Sequence, residues 1–352
     1  MFPPRSATVL RSIARQYITR AVPVSSASVV EDCGLEVSSA TIRNEMVRLE
    51  ESGYIIRPHH AAGSIPSDKG YRYYVSTLKD IELPLTEQRL ISHLFHQVEQ
   101  ELEEWLSLAV TLIAQRVQNV AVVTKPKLPA CQFKHLELVS LQDYLALVVL
   151  VLRGAKVRQK LVNFDQSMSQ AGLTAIANKL NEAYSGLSGP EILATGRELS
   201  ATEEQVTDCL LGMMKAEDER WYEEPYLYGL HFLLNQPEFN MSQRMVSLVD
   251  LVEQRKLMEV MVPDELGYGV QVIIGKENKA EVIQDYSVVI SRYGLPDEAV
   301  GTIGVVGPTR MPYARAISAI GYIAGMISTL VAELYGRELP AAWEQSIDYP
   351  AK

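Results

Sequence analysis

Ser38-Ser39-Ala40-Thr41-Ile42-Arg43-Asn44-Glu45-Met46-Val47-Arg48-Leu49-Glu50-Glu51-Ser52-Gly53 decides the reading of this chain. Ile42, Met46 and Leu49 recur at i, i+4 and i+7, so they share one face of a helix that starts at Ser38 or Ser39 and stops at Gly53. Ala40, Thr41, Asn44 and Arg48 then turn outward, with Arg43 on the flank. Small residues at the helix start let a backbone approach DNA closely. Asn can pair two-pronged with adenine, Thr can touch a thymine methyl, and Arg can reach guanine or phosphate. The free N–H groups of the first turn favour an anion. An ordinary amphipathic helix with a solvated face fits the same residues, so the neighbours carry weight.

Upstream, Val9, Leu10, Ile13 and Tyr17 mark a helix over about Ser6 to Thr19, and Pro23 closes the gap that follows. A second helix starts at Ser25 or Ser26 and ends at Gly34, a residue suited to a helix C-terminus. Gly34-Leu35-Glu36-Val37 joins it to the third helix, which is a helix-turn-helix pattern. Downstream, Tyr54-Ile55-Ile56 reads as a short strand and residues 57–67 as a loop punctuated by Pro and Gly. Ser67 can cap a further helix bearing Tyr71, Tyr74, Val75 and Leu78. Three helices, a strand and a basic loop make a winged helix, whose wing offers Arg57, His59 and Lys69 to the DNA backbone or minor groove. Ser39 at the start of the recognition helix and Arg72 beyond the wing complete the expected contact set. His59-His60 as a metal site lacks a third ligand nearby.

The charge of the whole chain argues the other way at first sight, since 33 Lys+Arg stand against 43 Asp+Glu for a net −10. That total excludes a protein that coats nucleic acid by bulk attraction. The distribution is uneven, however. Residues 1–80 hold ten basic and eight acidic residues, a net +2, which leaves −12 for the rest. The length of 352 residues suggests two or three domains. Cys33, Cys131 and Cys209 are too few and scattered for a disulfide framework or a zinc cluster, so a reducing compartment is expected.

Pro84 in Ile81-Glu82-Leu83-Pro84-Leu85 marks a linker. After it, with Thr86 as cap, Ile91, Phe95, Val98, Leu102, Trp105, Ala109 and Leu112 alternate steps of four and three. This heptad seam fits a helix on its own domain's core or a two-helix contact between subunits. Strands follow at Val120–Thr124, His135–Leu141, Tyr144–Leu152 and Val157–Asn163. Helices follow at about 167–184, 202–220, 226–234 and 242–261. Strands return at Val270–Ile274, Tyr286–Ser291 and Thr302–Val306, and a last helix runs from about Pro312 to Tyr335. This order predicts an α+β, multidomain fold with a mainly helical insertion. The uncharged run Ala316–Ala332 is shorter than the roughly 20 residues of a membrane span. Its Gly321 and Gly325 are expected in a buried helix packed closely on a sheet, and no secretory signal pattern opens the chain. A cytoplasmic protein without a membrane segment is expected.

Catalysis is not expected, nor any cofactor or metal. His93 and His96 sit at i, i+3 with no clear third ligand. Gly267-Tyr268-Gly269 lacks the Gly-Lys-Ser/Thr of a phosphate loop. Gly304-Val305-Val306-Gly307-Pro308 precedes a helix, but Pro308 and Pro312 each remove an N–H donor, and a strand-to-helix turn anchored by Arg310 fits better.

Two motifs are familiar. Ser38 to Met46, Leu49-Glu50, Gly53-Tyr54, Pro58-His59, Ile65-Pro66 and Gly70-Tyr71-Arg72-Tyr73-Tyr74-Val75 resemble the N-terminal signature of the HrcA family of bacterial heat-inducible transcription repressors. Gly301-Thr302-Ile303-Gly304-Val305-Val306-Gly307-Pro308-Thr309-Arg310-Met311-Pro312-Tyr313 is similar to that family's C-terminal motif. Pro237-Glu238-Phe239 and Tyr286-Ser287-Val288-Val289 fit between them. The resemblance implies a homodimer with a winged-helix domain (1–80), a linker (81–85), a discontinuous GAF-like domain (86–165 and 240–345) and an inserted dimerisation domain (166–239). It implies an inverted-repeat, double-stranded DNA operator ahead of chaperone operons, activity dependent on the GroEL chaperonin, and Ser39, Thr41, Arg43 and Asn44 in the recognition helix. Ser64 departs from the family's wing, which carries an Arg there, and leaves one phosphate or minor-groove contact in doubt. Two other readings stay open: a regulator whose GAF-like domain senses a small molecule, and a winged helix that binds protein. The inserted block and the Ile91–Leu112 seam are the expected subunit contacts, and the Tyr144–Leu152 run predicts aggregation once the fold loosens.

Overall fold

Apolar residues at helical spacing build the head from α1 (Pro4–Arg20), α2 (Ser26–Cys33) and α3 (Ser39–Glu51). The computed structural model describes residues 3–338 except 35, 36, 60–62, 79, 80, 99, 100, 128–130, 154–156, 197, 198, 220–224, 240–242, 255, 264, 265 and 297. The Leu35-Glu36 turn, His60 and the Ala61-Ala62 tip of the wing therefore lie outside the described residues. Ser25 caps α2 through the Ser28 N–H (3.2 Å) and Ser38 caps α3 through the Thr41 N–H (3.2 Å), each satisfying a donor the helix cannot. Val9, Leu10, Ile13, Val29, Ile42, Met46 and Leu49 close the core of the head. β1 (Ile55–Ile56) pairs antiparallel with β2 (Ile65–Pro66) as the base of the wing, and Ser67 caps α4 (Asp68–Ser76).

Two compact units make up the chain: residues 1–126 with 224–352, and residues 127–223. In the first, α5 (Leu85–Gln97) and α6 (Leu102–Val117) are separate helices. The expected continuous seam is thus corrected: Val98 and Glu101 are extended, and Pro84, not Thr86, stands at the N-cap. Ile91, Phe95, Trp105 and Ala109 are buried within their own unit, and Val98, Leu102 and Leu112 are half-buried against the same core. The linker is corrected too, because Leu83 is buried in that core and its carbonyl accepts a bond from Gln88 Nε2 (2.7 Å).

β3 (Val120–Val123) leads out of the first unit into the second, which folds around a local meander of β4 (Phe133–Gln142), β5 (Leu145–Leu152) and β6 (Val157–Asn163). α7 (Gln170–Tyr184), α8 (Gly189–Ala194) and α9 (Ala201–Glu219) complete it. The insertion therefore joins a three-stranded sheet to its helices and is bounded at 127 and 223, where the expected bounds were 166 and 239. The strands between 133 and 163 pair only with one another, so they cannot join the sheet of the first unit. Asn181 on α7 ties to β4 as a strand would: Oδ1 accepts from the Leu136 N–H (2.7 Å) and Nδ2 donates to the Leu136 carbonyl (2.9 Å).

The chain re-enters the first unit through β7 (Tyr226–Tyr228), a strand where a helix was expected, followed by α10 (Leu230–Leu234). A strand is favoured because the outer edge of β3 is open to pairing, in register Ala121–Tyr228. α11 (Gln243–Glu253), α12 (Leu257–Met261), β8 (Gln271–Ile274), β9 (Tyr286–Leu295), β10 (Ala299–Pro308) and α13 (Tyr313–Leu334) follow. The antiparallel sheet runs β7-β3-β10-β9-β8. Every residue of β10 is buried. Gly301 stands opposite Tyr293, and a Cβ there would lie 2.3 Å from the ring. At Gly307 a Cβ would meet Asn119 Oδ1 at 2.1 Å. The glycines of the C-terminal motif thus admit cross-sheet neighbours.

α13 has 22 residues, more than its uncharged run, and by length and composition could cross a bilayer. Ile317, Ile320, Ile323, Ala324, Ile327 and Val331 are instead packed in the unit's core. Gly325 has no neighbour within 4 Å of a Cβ position and Gly321 has only the Val270 side chain at 3.5 Å, so this pair is not the close-packed seam expected. Ser328 on the same helix is fully buried and accepts a bond from the Gly294 N–H (2.8 Å).

Replacing Asn181 by Ala should lower the stability of the 127–223 unit by about 1–3 kcal/mol, because both Leu136 backbone groups lose a partner. Urea unfolding monitored by circular dichroism measures this.

Candidate nucleic-acid interface

On α3 the inward residues are as expected, with Ile42 at 0%, Met46 at 4% and Leu49 at 1% exposure. Glu45, which the pattern left unassigned, is also buried. It accepts a bond from Ser6 Oγ on α1 (2.7 Å) and so fixes the pitch of α3 across the head. No sequence period announces such a contact, because it joins residues 39 positions apart. α1 is tied to α2 in a similar way by Asp32, which accepts from Ser12 Oγ (2.5 Å) and Arg15 Nη2 (2.6 Å). Partial burial pushes the Asp32 carboxyl up, but the bonds from Arg15 and Ser12 outweigh it and hold it below its ordinary value. The tie is fully present above the ordinary aspartate range and is lost only as pH falls through the lowered value.

Ser39, Ala40, Arg43, Asn44 and Arg48 form one exposed surface of α3, joined by Val47. Among the described residues, Arg43 and Asn44 make no side-chain hydrogen bond or ion pair. Thr41 is half-buried, with Oγ1 3.1 Å from Ser38 Oγ at the cap. Arg48 makes a loose pair with Glu45 (3.4 Å), and Arg57 pairs with Glu50 (3.0 Å). The Arg48 side chain is 74% exposed and its contact with the buried Glu45 is long, and Arg57 and Glu50 are both partly exposed, so either cation can exchange its partner for a phosphate. Lys69 donates to the Ser52 carbonyl (3.0 Å) and lies 4.3 Å from the centre of the Tyr54 ring, which holds the start of α4 against the end of α3. His59 is exposed on the wing loop.

Two residues are placed differently from expectation. Arg72 is turned away from the α3 surface: Nε donates to Glu277 Oε1 (2.8 Å) and Nη2 to the Val272 carbonyl (2.5 Å). It sits next to Tyr71 on the side of α4 that packs on β8 and the sheet, a side that the local sequence alone does not single out. Ser64 does not vacate a solvent-facing position. It is fully buried, its backbone exchanges two 2.9 Å hydrogen bonds with Val24, and its Oγ has no hydrogen-bond partner. Gly63 is pressed against the Val24 carbonyl, where a Cβ would come within 2.4 Å. The wing is thereby pinned to the α1–α2 connection.

Cys131 is pushed up to about 12, chiefly by burial and then by Asp218, so its thiol stays protonated. His93 Nε2 lies 2.9 Å from Gln97 Nε2, and His96 Nδ1 lies 2.7 Å from the Ser92 carbonyl. Among the described residues no three His, Cys, Asp or Glu side chains are grouped to hold a metal.

Ser64→Ala should leave the head as stable or about 1 kcal/mol more stable, since it removes a buried hydroxyl without a partner. A thermal melt checks this, and a fall in Tm would show that the hydroxyl is satisfied.

Residues 103–317 match the family described as the HrcA protein C-terminal domain. The chain is 58% identical over 338 residues to the heat-inducible transcription repressor HrcA of Dehalococcoides mccartyi strain 195, covering 96% of this chain and 98% of the relative. It is 39% identical over 350 residues to the repressor of the same name from Roseiflexus castenholzii, covering 97% of each. A crystal structure of a hypothetical protein at 2.2 Å resolution shares the fold, with a TM-score of 0.57 and 24% identity over 94% of this chain and 98% of that one. The chain therefore belongs to the HrcA family of heat-inducible transcription repressors, which act on DNA and are not enzymes.

Proposed function

We propose that the chain represses chaperone operons by binding an inverted-repeat operator as a homodimer, with α3 of each head in a major groove. The observation that carries this reading is the exposed surface of Ser39, Ala40, Arg43, Asn44 and Arg48. Arg43 and Asn44 have no competing partner among the described residues, and Glu45 braces the helix from behind. Arg57, His59 and Lys69 flank that surface and serve the phosphate backbone. Two heads of net +2 each, on an acidic remainder, gain little from bulk attraction, so affinity rests on both heads meeting half-sites together.

The dimer contact we assign to the outer face of the β4-β5-β6 sheet. Along β5, Ala146, Val148, Leu150 and Leu152 face the core of the 127–223 unit, while Leu145, Leu147, Val149 and Val151 are half-exposed on the other side. Val139 and Leu161 flank Leu147 in register, and Val157 flanks Val151. Leu161 is 56% and Val157 47% exposed. An antiparallel sheet with one solvated face ordinarily alternates apolar and polar residues. Glu137 and Gln159 flank Val149 on this face, but its apolar row is fuller than a solvated face carries, which favours an interaction surface that a second copy matches. The same face supports dependence on the GroEL chaperonin, because a chain that exposes it before assembly needs protection from aggregation.

A gel shift on the chain's own upstream region and on chaperonin promoters, with and without chaperonin, tests the function. Binding that chaperonin does not strengthen would remove the dependence from the reading. Arg43→Gln should weaken binding on every sequence and reduce the slope of log K against log salt by about 0.9, whereas Asn44→Ala should cost about 1–3 kcal/mol of discrimination at one base pair. Leu161→Glu should give a folded monomer by light scattering at micromolar concentration. A dimer that persists in that variant would place the contact elsewhere.

A further inference from the structure

The head is joined to the rest of its unit through α4, and α4 belongs to two cores at once. Tyr73 packs against the core of the head, while Tyr71 and Val75 are buried with α5, α6, α13 and the sheet. The Tyr71 ring meets Tyr313 of α13 at 5.8 Å. Such apolar contacts hold α4 in place but are non-directional and set no angle well. Beside them lies a cavity of about 440 Å³, with Arg15, Ile18, Thr19 and Tyr74 on the head side and Gln118 and Arg315 on the other. The junction is therefore not filled by close packing along its whole length.

What is directional there is polar. Arg72 Nε donates to Glu277 Oε1 (2.8 Å), its Nη2 bonds Glu277 Oε2, and the same Nη2 donates to the Val272 carbonyl (2.5 Å). One turn earlier, Asp68 Oδ2 accepts from the Lys276 N–H (3.0 Å). The Asp68 carboxylate sits so close to Gly275 that a Cβ there would lie 2.3 Å from it, and Gly275 holds a φ of +54°. Glu277 is fixed in turn by the Ile274 N–H (2.8 Å). At the far side of the cavity Arg310 pairs with Glu238 and donates to the Ile18 carbonyl at the end of α1 (3.2 Å). Arg72 and Arg310 come from the two separated motifs, and both bridge head and body.

We propose that Asp68 and Arg72 on α4, clamped to the Gly275–Glu277 turn, are positioning residues that set the angle of the DNA-reading head, Arg72 acting through Glu277 and not through a phosphate. A forked guanidinium–carboxylate pair fixes orientation as well as distance, which apolar contact cannot. Two half-sites bound together require that angle to be right in both protomers. The inference rests on operator reading by α3, and the test separates the two.

The full-length chain is compared with Arg72→Gln, Glu277→Gln and the exchanged pair R72E/E277R. Binding is measured across a salt series on the duplex that the wild-type chain shifts from its own upstream region. Hydrogen exchange at the Lys276 amide is followed without DNA. Both single variants should weaken binding by about five- to tenfold with the salt slope unchanged, both should speed Lys276 exchange, and the exchanged pair should recover much of each. If Arg72→Gln instead lowers the slope by about 0.9 while Glu277→Gln binds as wild type, Arg72 is a phosphate contact and the proposal is overturned. Unchanged exchange in both single variants overturns the clamp as well. A wild-type chain that shifts no duplex counts against operator reading, while exchange still decides the clamp.

Discussion

Val120–Val123 is buried on both faces beside the central strand of its sheet, and its backbone is satisfied there by Tyr226–Tyr228 on one edge and Ile303–Val306 on the other. That pairing joins residues some 180 positions apart, and everything else in the larger unit is arranged around it. The chain returns to β3 through β7, in register Ala121–Tyr228, so the 127–223 unit is an insertion between two paired strands. The sheet also demands the small residues of β10, since Tyr293 and Asn119 lie where side chains at Gly301 and Gly307 would be. A motif that resembles a phosphate loop in outline is thus a packing device in the middle of a sheet.

The sheet in turn seats α13, and α13 and α6 seat α4. Through Tyr71 and Val75 the last helix of the head becomes part of the body's core, so the head cannot be regarded as a bead on a linker. The exposed residues of α3 lie on a helix outside that junction, and the buried Glu45 ties α3 to α1. In the 127–223 unit one side of β5 closes a core, while Leu145, Leu147, Val149 and Val151 stay half-exposed on the other.

Much of the site is legible in the linear chain. The caps at Ser25, Ser38 and Ser67, the inward triad of Ile42, Met46 and Leu49, and the exposed Arg43 and Asn44 follow from local rules that act over four residues or fewer. The departures share a cause. The Ile91–Leu112 seam reads as one helix because periodicity survives a break that preserves phase. Residues 226–228 read as helix because the open edge of β3 is invisible from 100 residues away. The Arg72–Glu277 bond escapes the linear reading because sequence shows the proximity of Arg72 to the wing and not the carboxylate 205 positions on.

Sequence by itself determined the helices of the head, their caps, the face of α3 and the family. Those features depend on hydrogen bonds and apolar spacing within one or two turns, which a linear pattern records directly. Tertiary structure alone decided where the insertion begins and ends, that Ser64 is buried beneath the wing, and that Arg72 faces Glu277. Each of these depends on which distant backbone or carboxylate fills the space beside a residue, and that partner is chosen only when the sheet closes.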